Sequence, residues 1–183
     1  QYIRALSDEE LYKWTLPFIT GTGDASLEIN PENPQPKPKV GPEYSGVALG
    51  SDGEPVCVDS SMNMTSADVK KKLLELMPLI KERLHFLTDA AEMVRFMFTE
   101  PAVPAKSEII PKKLDEAKTK EVLEKAKSFV SEIFGMSHDD AEALAKKYAE
   151  ELGIKLGDFM MPVRMAVTGS RISPPLIGSI WIL

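Results

Sequence analysis

The segment TSADVKKKLLELMP, residues 65–78, decides the fold class of this 183-residue chain. Its large apolar residues recur at spacings of three and four, the period at which side chains share one face of an α-helix. These residues are Val69, Leu73, Leu76 and Met77. The pattern predicts a helix with one buried face. Pro78 interrupts it, and because proline is accepted in a first helical turn, we expect a second helix to begin there.

Helical signals continue on both sides of this segment. Ser7-Asp8-Glu9-Glu10 has the spacing of a capping box, so a helix should follow and end or kink near Pro17. Thr88 is a candidate N-cap for a helix over 89–98. A proline-containing linker at 101–104 then marks a domain boundary.

Four more helices are expected after the linker. They run from Leu114 to Phe134, from the Ser137 cap to Leu152, from Leu156 to Val167, and from an N-cap at Ser173 with Pro174 at the first helical position. Residues 21–64, in contrast, are rich in Pro and Gly and read as a long insertion with short extended pieces at 47–49 and 55–58.

The sequence therefore predicts an all-α multi-helix bundle of two packed helical subdomains. The first covers residues 1–104 and includes the Pro/Gly-rich insertion 21–64, and the second covers 105–183. One cysteine and two histidines exclude a disulfide framework and a cysteine-based zinc site. No glycine-rich nucleotide-binding motif occurs, and no apolar run approaches the length of a membrane span.

The net charge of −6 by itself argues against a nucleic-acid-binding protein. The acid is unevenly placed, however, because residues 1–60 contain ten Asp/Glu and only four Lys/Arg. Segments 61–83 and 153–183 each have a small excess of Lys and Arg. Two mildly basic regions are compatible with local RNA contact, and ordinary solvated faces are the alternative.

Three blocks of sequence, in order, resemble the C-terminal helical tRNA-binding region of bacterial glutamyl-tRNA synthetase, a class I aminoacyl-tRNA synthetase. The blocks are YIRALSDEEL at 2–11, LMPLIKERL at 76–84 with FMFTEP at 96–101, and GIKLG at 153–157 followed by AVTG at 166–169 and Ser173-Pro174. The resemblance covers 1–20 and 66–183 and leaves out the insertion 21–64. It identifies the first subdomain as the stem-contact and first anticodon-binding part, and the second as the second anticodon-binding part.

The resemblance implies that two arginines bind the anticodon. Arg83 should face the third anticodon base and favour C over G, which separates tRNA(Glu) from tRNA(Gln). An arginine fork can bind a base edge with two hydrogen bonds. A surface pair with Glu82 or Glu75 is the alternative. Arg164 lies on an apolar helix and therefore needs either a buried carboxylate partner or a ligand, and the resemblance implies the anticodon.

By the same resemblance, Ser173, Pro174 and Leu176 line the pocket for the anticodon bases, although simple helix capping would give Ser173-Pro174 the same sequence. Lys81 and Arg171 are candidates for phosphate contact, and for Lys81 a solvated helix face is the alternative. No catalytic residue and no metal ligand is expected in this chain.

The function implied is that of the tRNA-binding C-terminal fragment of a glutamate–tRNA ligase. The class I signatures His-Ile-Gly-His and Lys-Met-Ser-Lys-Ser are absent, so ATP and Mg²⁺ are implied only for the full-length enzyme, and the fragment alone should be inactive. We expect a cytoplasmic monomer that binds tRNA(Glu), not a membrane, and that acts with a catalytic domain in cis. The missing initiator Met and the apolar C-terminus fit a fragment. A helical protein-interaction or regulatory module derived from the family remains the alternative.

Overall fold

The computed structural model describes residues 2–23, 39–100 and 103–183. The described residues are mostly helical, which confirms the predicted all-α class apart from one small β-hairpin. The chain divides into two compact units, Gln1–Glu100 with Ile182, and Pro101–Trp181 with Leu183. No helix in the described ranges is long and apolar enough to span a membrane.

The first unit contains five α-helices and a hairpin among its described residues. The helices are α1 (Tyr2–Ala5), α2 (Asp8–Thr20), α3 (Pro42–Ser45), α4 (Ser66–Lys81) and α5 (Ala90–Val94), and the antiparallel strands are β1 (Val47–Leu49) and β2 (Pro55–Cys57). Single 3₁₀ turns cover Ser60–Met62, Leu87–Asp89 and Arg95–Met97. The hairpin confirms the two extended pieces expected in the insertion. The proline-rich residues 24–38 lie outside the described residues.

Reciprocal hydrogen bonds start the two long helices of this unit. The Ser7 hydroxyl accepts the N–H of Glu10 at 3.2 Å, and the Glu10 carboxylate accepts the N–H of Ser7 at 2.8 Å. Thr65 and Asp68 repeat this arrangement at the start of α4. Both boxes satisfy backbone donors that a first helical turn leaves unpaired. The Thr65 hydroxyl also donates to the Asp68 carboxylate at 2.6 Å, and this hydrogen bond, together with the one from the Thr65 N–H, lowers the pKa of Asp68 below its ordinary value.

Two prolines lie inside helices of this unit. Pro17 lies inside α2, which continues to Thr20, and Pro78 lies inside α4, which continues to Lys81. The expected second helix beginning at Pro78 is therefore wrong. The apolar residues around Pro78, including Met77 and Ile80, are fully buried in the core of the unit. This burial offsets the backbone hydrogen bond that an interior proline removes.

The second unit is formed by α6 (Lys106–Ile109), α7 (Glu116–Glu132), α8 (His138–Glu151), α9 (Leu156–Thr168) and α10 (Leu176–Ile182). Its core centres on three aromatic side chains, Phe129, Tyr148 and Phe159, which contact one another edge-on or stacked. The Tyr148 hydroxyl donates to the Glu132 carboxylate at 2.7 Å and so links α8 to α7. That hydrogen bond, together with burial, raises the pKa of Tyr148 to about 12.

Candidate nucleic-acid interface

The sequence predicted that Arg83 lies in a helix. In the structure it lies in the turn that follows α4. Its backbone N–H donates to the carbonyl of Ile80 at 2.8 Å, which closes the last turn of α4. The side chain is exposed, and it makes no hydrogen bond or ion pair with any residue that the structure describes. The guanidinium is therefore available to a ligand.

The carboxylates proposed as alternative partners of Arg83 are engaged elsewhere. Glu82 pairs with Arg4, with 3.3 Å between Nε and Oε2, and Glu75 pairs with Lys71 at 3.9 Å. Arg4 also donates to the backbone carbonyl of Glu82 at 3.3 Å, which ties α1 to the end of α4. The surface-pair alternative for Arg83 is not formed.

Lys81, the candidate phosphate contact, has a structural partner. Its ammonium lies 2.8 Å from the carboxylate of Asp8, and its side chain is only 17% exposed. The pair joins the first turn of α2 to the last turn of α4, where a cation also faces the negative end of the helix dipole. Phosphate contact by Lys81 stays a prediction, and it would require this ion pair to be shared or broken.

The turn after Arg83 is fixed by hydrogen bonds to its backbone. The Asp89 carboxylate accepts the N–H groups of His85 at 3.1 Å and Phe86 at 3.0 Å, while Leu84 is buried beneath them. The Phe86 ring is 49% exposed. A surface cleft of about 440 Å³ lies beside this turn and is lined by Tyr2, Ile3, Arg4, Leu84 and His85. Sequence reasoning did not single out these neighbours of Arg83.

Arg164, the second arginine, extends from α9 and organises the loop over residues 169–175. It donates to the carbonyl of Pro174 at 2.8 Å, to the carbonyl of Ser173 at 3.3 Å and to the Ser173 hydroxyl. The sequence analysis expected a buried carboxylate or a ligand to bind the Arg164 guanidinium. In the structure, two backbone carbonyls and a hydroxyl accept its hydrogen bonds. The guanidinium fixes the path of the chain between α9 and α10.

The three neighbours expected to line the base pocket are buried. Ser173 and Leu176 are each 2% exposed, and Pro174 is also buried. Helix α10 begins at Leu176 after Pro175, and no side chain caps it, so the predicted N-cap at Ser173 is wrong. The physical reason is that Arg164 engages the Ser173 hydroxyl. These side chains therefore lie on the buried side of the loop, and Leu176 belongs to the core of the unit.

The exposed part of the loop consists of Arg171 and Ile172. Arg171 donates to the backbone carbonyls of Glu108 at 3.1 Å and Ser107 at 3.4 Å, which ties the loop to α6. Ile172 is 69% exposed, yet its backbone is held by the Ser170 hydroxyl, which donates to its carbonyl at 2.9 Å and accepts its N–H at 3.1 Å. No sequence signal indicated that Ile172 would be presented in this way.

Among the residues that the structure describes, no cluster of His, Cys, Asp and Glu could hold a metal ion. The two regions present guanidinium groups, exposed apolar side chains and a loop backbone held by hydrogen bonds.

Comparison with known proteins identifies a matching family model and several similar sequences. Residues 54–183 match the family model described as an anticodon binding domain. The whole chain is 45% identical to the glutamate–tRNA ligase of Treponema denticola, covering 33% of that protein. It is 40% identical to that of Treponema pallidum, covering 31%. A 113-residue match to the ligase of a Roseiflexus species is 38% identical and covers 62% of the chain and 22% of that ligase.

The chain thus spans about a third of the length of the Treponema proteins that it matches. Those two alignments cover 100% of the chain and so include residues 21–64, which the sequence analysis left outside the resemblance. The Roseiflexus alignment, in contrast, covers only 62% of the chain. The Pro/Gly-rich segment is therefore included in the similarity to the Treponema proteins.

Proposed function

The chain belongs to the anticodon binding domain family, and on that basis we propose that it is the tRNA-binding part of a glutamate–tRNA ligase. It binds the anticodon of tRNA(Glu). A catalytic domain outside this chain activates glutamate with ATP and Mg²⁺ and transfers it to the tRNA. The protein acts in the cytoplasm as a monomer, without a membrane partner.

The exposed guanidinium of Arg83, which forms no ion pair or hydrogen bond with a described residue, is the observation that carries this proposal. The two candidate carboxylates, Glu75 in α4 and Glu82 in the turn, have other partners. Bases in the anticodon loop are not paired within the tRNA, so a protein can contact their hydrogen-bonding edges. Arg83 recognises the third anticodon base in this way and favours C over G.

The loop over 169–175 is the second region that we assign to anticodon binding. Its backbone is fixed by Arg164 on one side and by Arg171 on the other. A surface that is already ordered before binding loses less conformational entropy when the RNA binds. Arg164 therefore supports anticodon recognition by holding the loop in position.

Direct binding measurements test the proposal. The chain is titrated with tRNA(Glu), with tRNA(Gln), and with a tRNA(Glu) whose third anticodon base is changed from C to G. We expect salt-sensitive binding to tRNA(Glu) and about tenfold weaker binding to the base-changed tRNA, because one bidentate contact contributes about 1–3 kcal/mol of discrimination. Equal binding to all three, or no binding, would contradict the proposal and favour a protein-interaction module.

A further inference from the structure

The turn between α6 and α7 carries two adjacent lysines. Lys112 and Lys113 are adjacent and exposed, and neither makes an ion pair or side-chain hydrogen bond within residues 103–183 or with the other described ranges. The turn is closed by the N–H of Leu114, which donates to the carbonyl of Pro111 at 3.0 Å. Two ammonium groups are thus presented from a defined backbone.

The acidic residues next to these lysines are engaged by other groups. The Glu108 carboxylate accepts the N–H of Ala105 at 3.1 Å, and the Asp115 carboxylate accepts the N–H of Lys118 at 2.7 Å. Each is bound to its own helix start. Glu116, the third carboxylate, pairs with Lys106 at 2.6 Å. The positive charge of the turn is therefore not paired with these neighbours.

Arg171 brings this turn close to the loop over 169–175. Its guanidinium donates to the carbonyls of Ser107 and Glu108. Lys112 follows Glu108 by four positions, so their Cα atoms lie within about 14 Å of each other. The loop and the turn that carries the two lysines are therefore linked through α6 within the second unit.

The loop contributes an apolar side chain. Ile172 is exposed although its backbone is held in place by Ser170. An apolar side chain on an ordered backbone can pack on the face of an unpaired base with little further loss of conformational entropy. Surfaces that bind single-stranded RNA combine flat apolar contacts to bases with cationic contacts to phosphates.

We propose that Lys112, Lys113 and Ile172 together bind a single-stranded stretch of the tRNA loop next to the anticodon. The two ammonium groups contact successive phosphates, and Ile172 packs on the face of one unpaired base. A duplex would not satisfy this surface, because the base faces in a duplex are covered by stacking. This inference rests on the proposed function and adds residues that the resemblance does not assign.

The lysines are tested by the salt dependence of tRNA(Glu) binding to the 183-residue chain. The variant is Lys112→Gln/Lys113→Gln, and the matched control is Lys120→Gln/Lys147→Gln, which removes the same charge from two exposed lysines of α7 and α8 that form no ion pair with a described residue. Two lost phosphate contacts should lower the slope of log affinity against log salt by about 1.4, at roughly 0.7 per single-strand phosphate. The control should keep the slope of the unmodified chain.

Ile172 is tested separately, because a neutral contact has a different signature. Ile172→Ala should weaken binding about fivefold at every salt concentration, as expected for the loss of a small buried apolar area, and leave the slope unchanged. Ile172→Val, which keeps most of the side chain, should stay close to the unmodified chain. Unfolding in urea should be the same for all three proteins, since Ile172 is exposed.

The outcomes separate this inference from the proposed function. If the unmodified chain does not bind tRNA(Glu), the proposed function fails, and this surface fails with it. If the unmodified chain binds but Lys112→Gln/Lys113→Gln keeps the same slope as its control, the lysine contacts are wrong while the proposed function stands. Unchanged affinity of Ile172→Ala would remove the base contact.

Discussion

The two arginines implied to bind the anticodon are placed in opposite ways by the two units. Arg83 lies in an exposed turn, and its side chain forms no hydrogen bond or ion pair with a described residue. Arg164 is half-buried and donates to three acceptors of the adjoining loop. The same residue type is thus exposed in the first unit and holds a loop in place in the second. An arginine fork suits both uses, because it donates several hydrogen bonds in one plane.

The difference changes what each arginine should contribute to binding. The contacts of Arg83 are made only when a ligand is present, so its loss should affect binding and leave folding unaffected. The contacts of Arg164 are made within the chain, so its loss should affect folding first and binding as a consequence. Separate measurements of unfolding and tRNA binding can distinguish these two roles.

The largest effect is expected at Arg164. Arg164→Ala should lower the free energy of unfolding by about 3 kcal/mol, because the carbonyls of Ser173 and Pro174 lose their donor and each such loss costs about 1–3 kcal/mol. Affinity for tRNA(Glu) should fall with the loss of the loop shape. A lysine can donate to only some of these acceptors, so Arg164→Lys should have a free energy of unfolding and an affinity between those of Arg164→Ala and the unmodified chain. Urea unfolding and filter binding measure both effects.

An opposite result at Arg164 would break the comparison. If Arg164→Ala abolished tRNA binding but unfolded at the same urea concentration as the unmodified chain, Arg164 would contact RNA directly. It would then resemble Arg83 in function despite its internal hydrogen bonds.

The next effect is expected at Arg83. Arg83→Gln should leave the free energy of unfolding within about 0.5 kcal/mol, as for other exposed positions without partners. Discrimination between C and G at the third anticodon base should fall about tenfold, because the bidentate contact is lost. Arg83→Lys, which keeps the charge but not the fork, should lose discrimination and retain salt-sensitive binding. A destabilised Arg83→Gln protein would assign Arg83 a structural role.

Local patterns in the sequence predicted much of this frame. The Ser7–Glu10 capping box, the buried face of Val69, Leu73 and Leu76, and the hairpin strands were all recognised from spacing and residue type. These features depend on residues three or four positions apart, or on turn residues at fixed offsets. Their determinants are therefore visible in a short window of sequence.

Contacts between distant residues explain what was missed. Pro78 remains inside α4 because the buried neighbours Met77 and Ile80 pack in the core, which no local rule registers. Ser173 does not cap α10 because Arg164, nine residues earlier, engages its hydroxyl. The exposure of Ile172 likewise follows from the fixing of the loop at Arg171 and Ser170. The resemblance pointed to the loop over 169–175 but could not show which of its side chains face outward.

A smaller effect is expected from Tyr148, which links α7 and α8 in the unit that holds Arg164. Its pKa is raised from 10 to about 12 by its hydrogen bond to Glu132 and by burial. The folded state therefore retains this proton more strongly than the unfolded state. The resulting stabilisation is complete below pH 10 and declines as the pH rises towards 12.

Tyr148→Phe removes this stabilisation at all pH values. At pH 8 the variant should unfold with a free energy about 1 kcal/mol lower, which is the usual net contribution of one hydrogen bond. The difference between the two proteins should shrink as the pH is raised from 10, and the phenolate absorbance of the unmodified chain should contain a late-titrating component that Tyr148→Phe lacks. A constant difference across this range would mean that Glu132 does not retain the proton on Tyr148.

The smallest effect is expected at Lys81, two residues before Arg83. Lys81 pairs with Asp8 and is also a candidate for phosphate contact. Its pair with Asp8 is partly exposed, so Lys81→Gln should lower the free energy of unfolding by only about 0.5 kcal/mol. Asp8→Asn is the matched variant, because it removes the same ion pair but leaves the ammonium in place. If the pair is the only role of Lys81, both variants should lose the same stability and bind tRNA(Glu) with the same salt slope. If Lys81→Gln alone lowers the slope by about 0.7, the ammonium leaves Asp8 for a phosphate on binding. Lys81 would then share the ligand-dependent behaviour of Arg83, and the end of α4 would contact both the base and the backbone of the bound RNA.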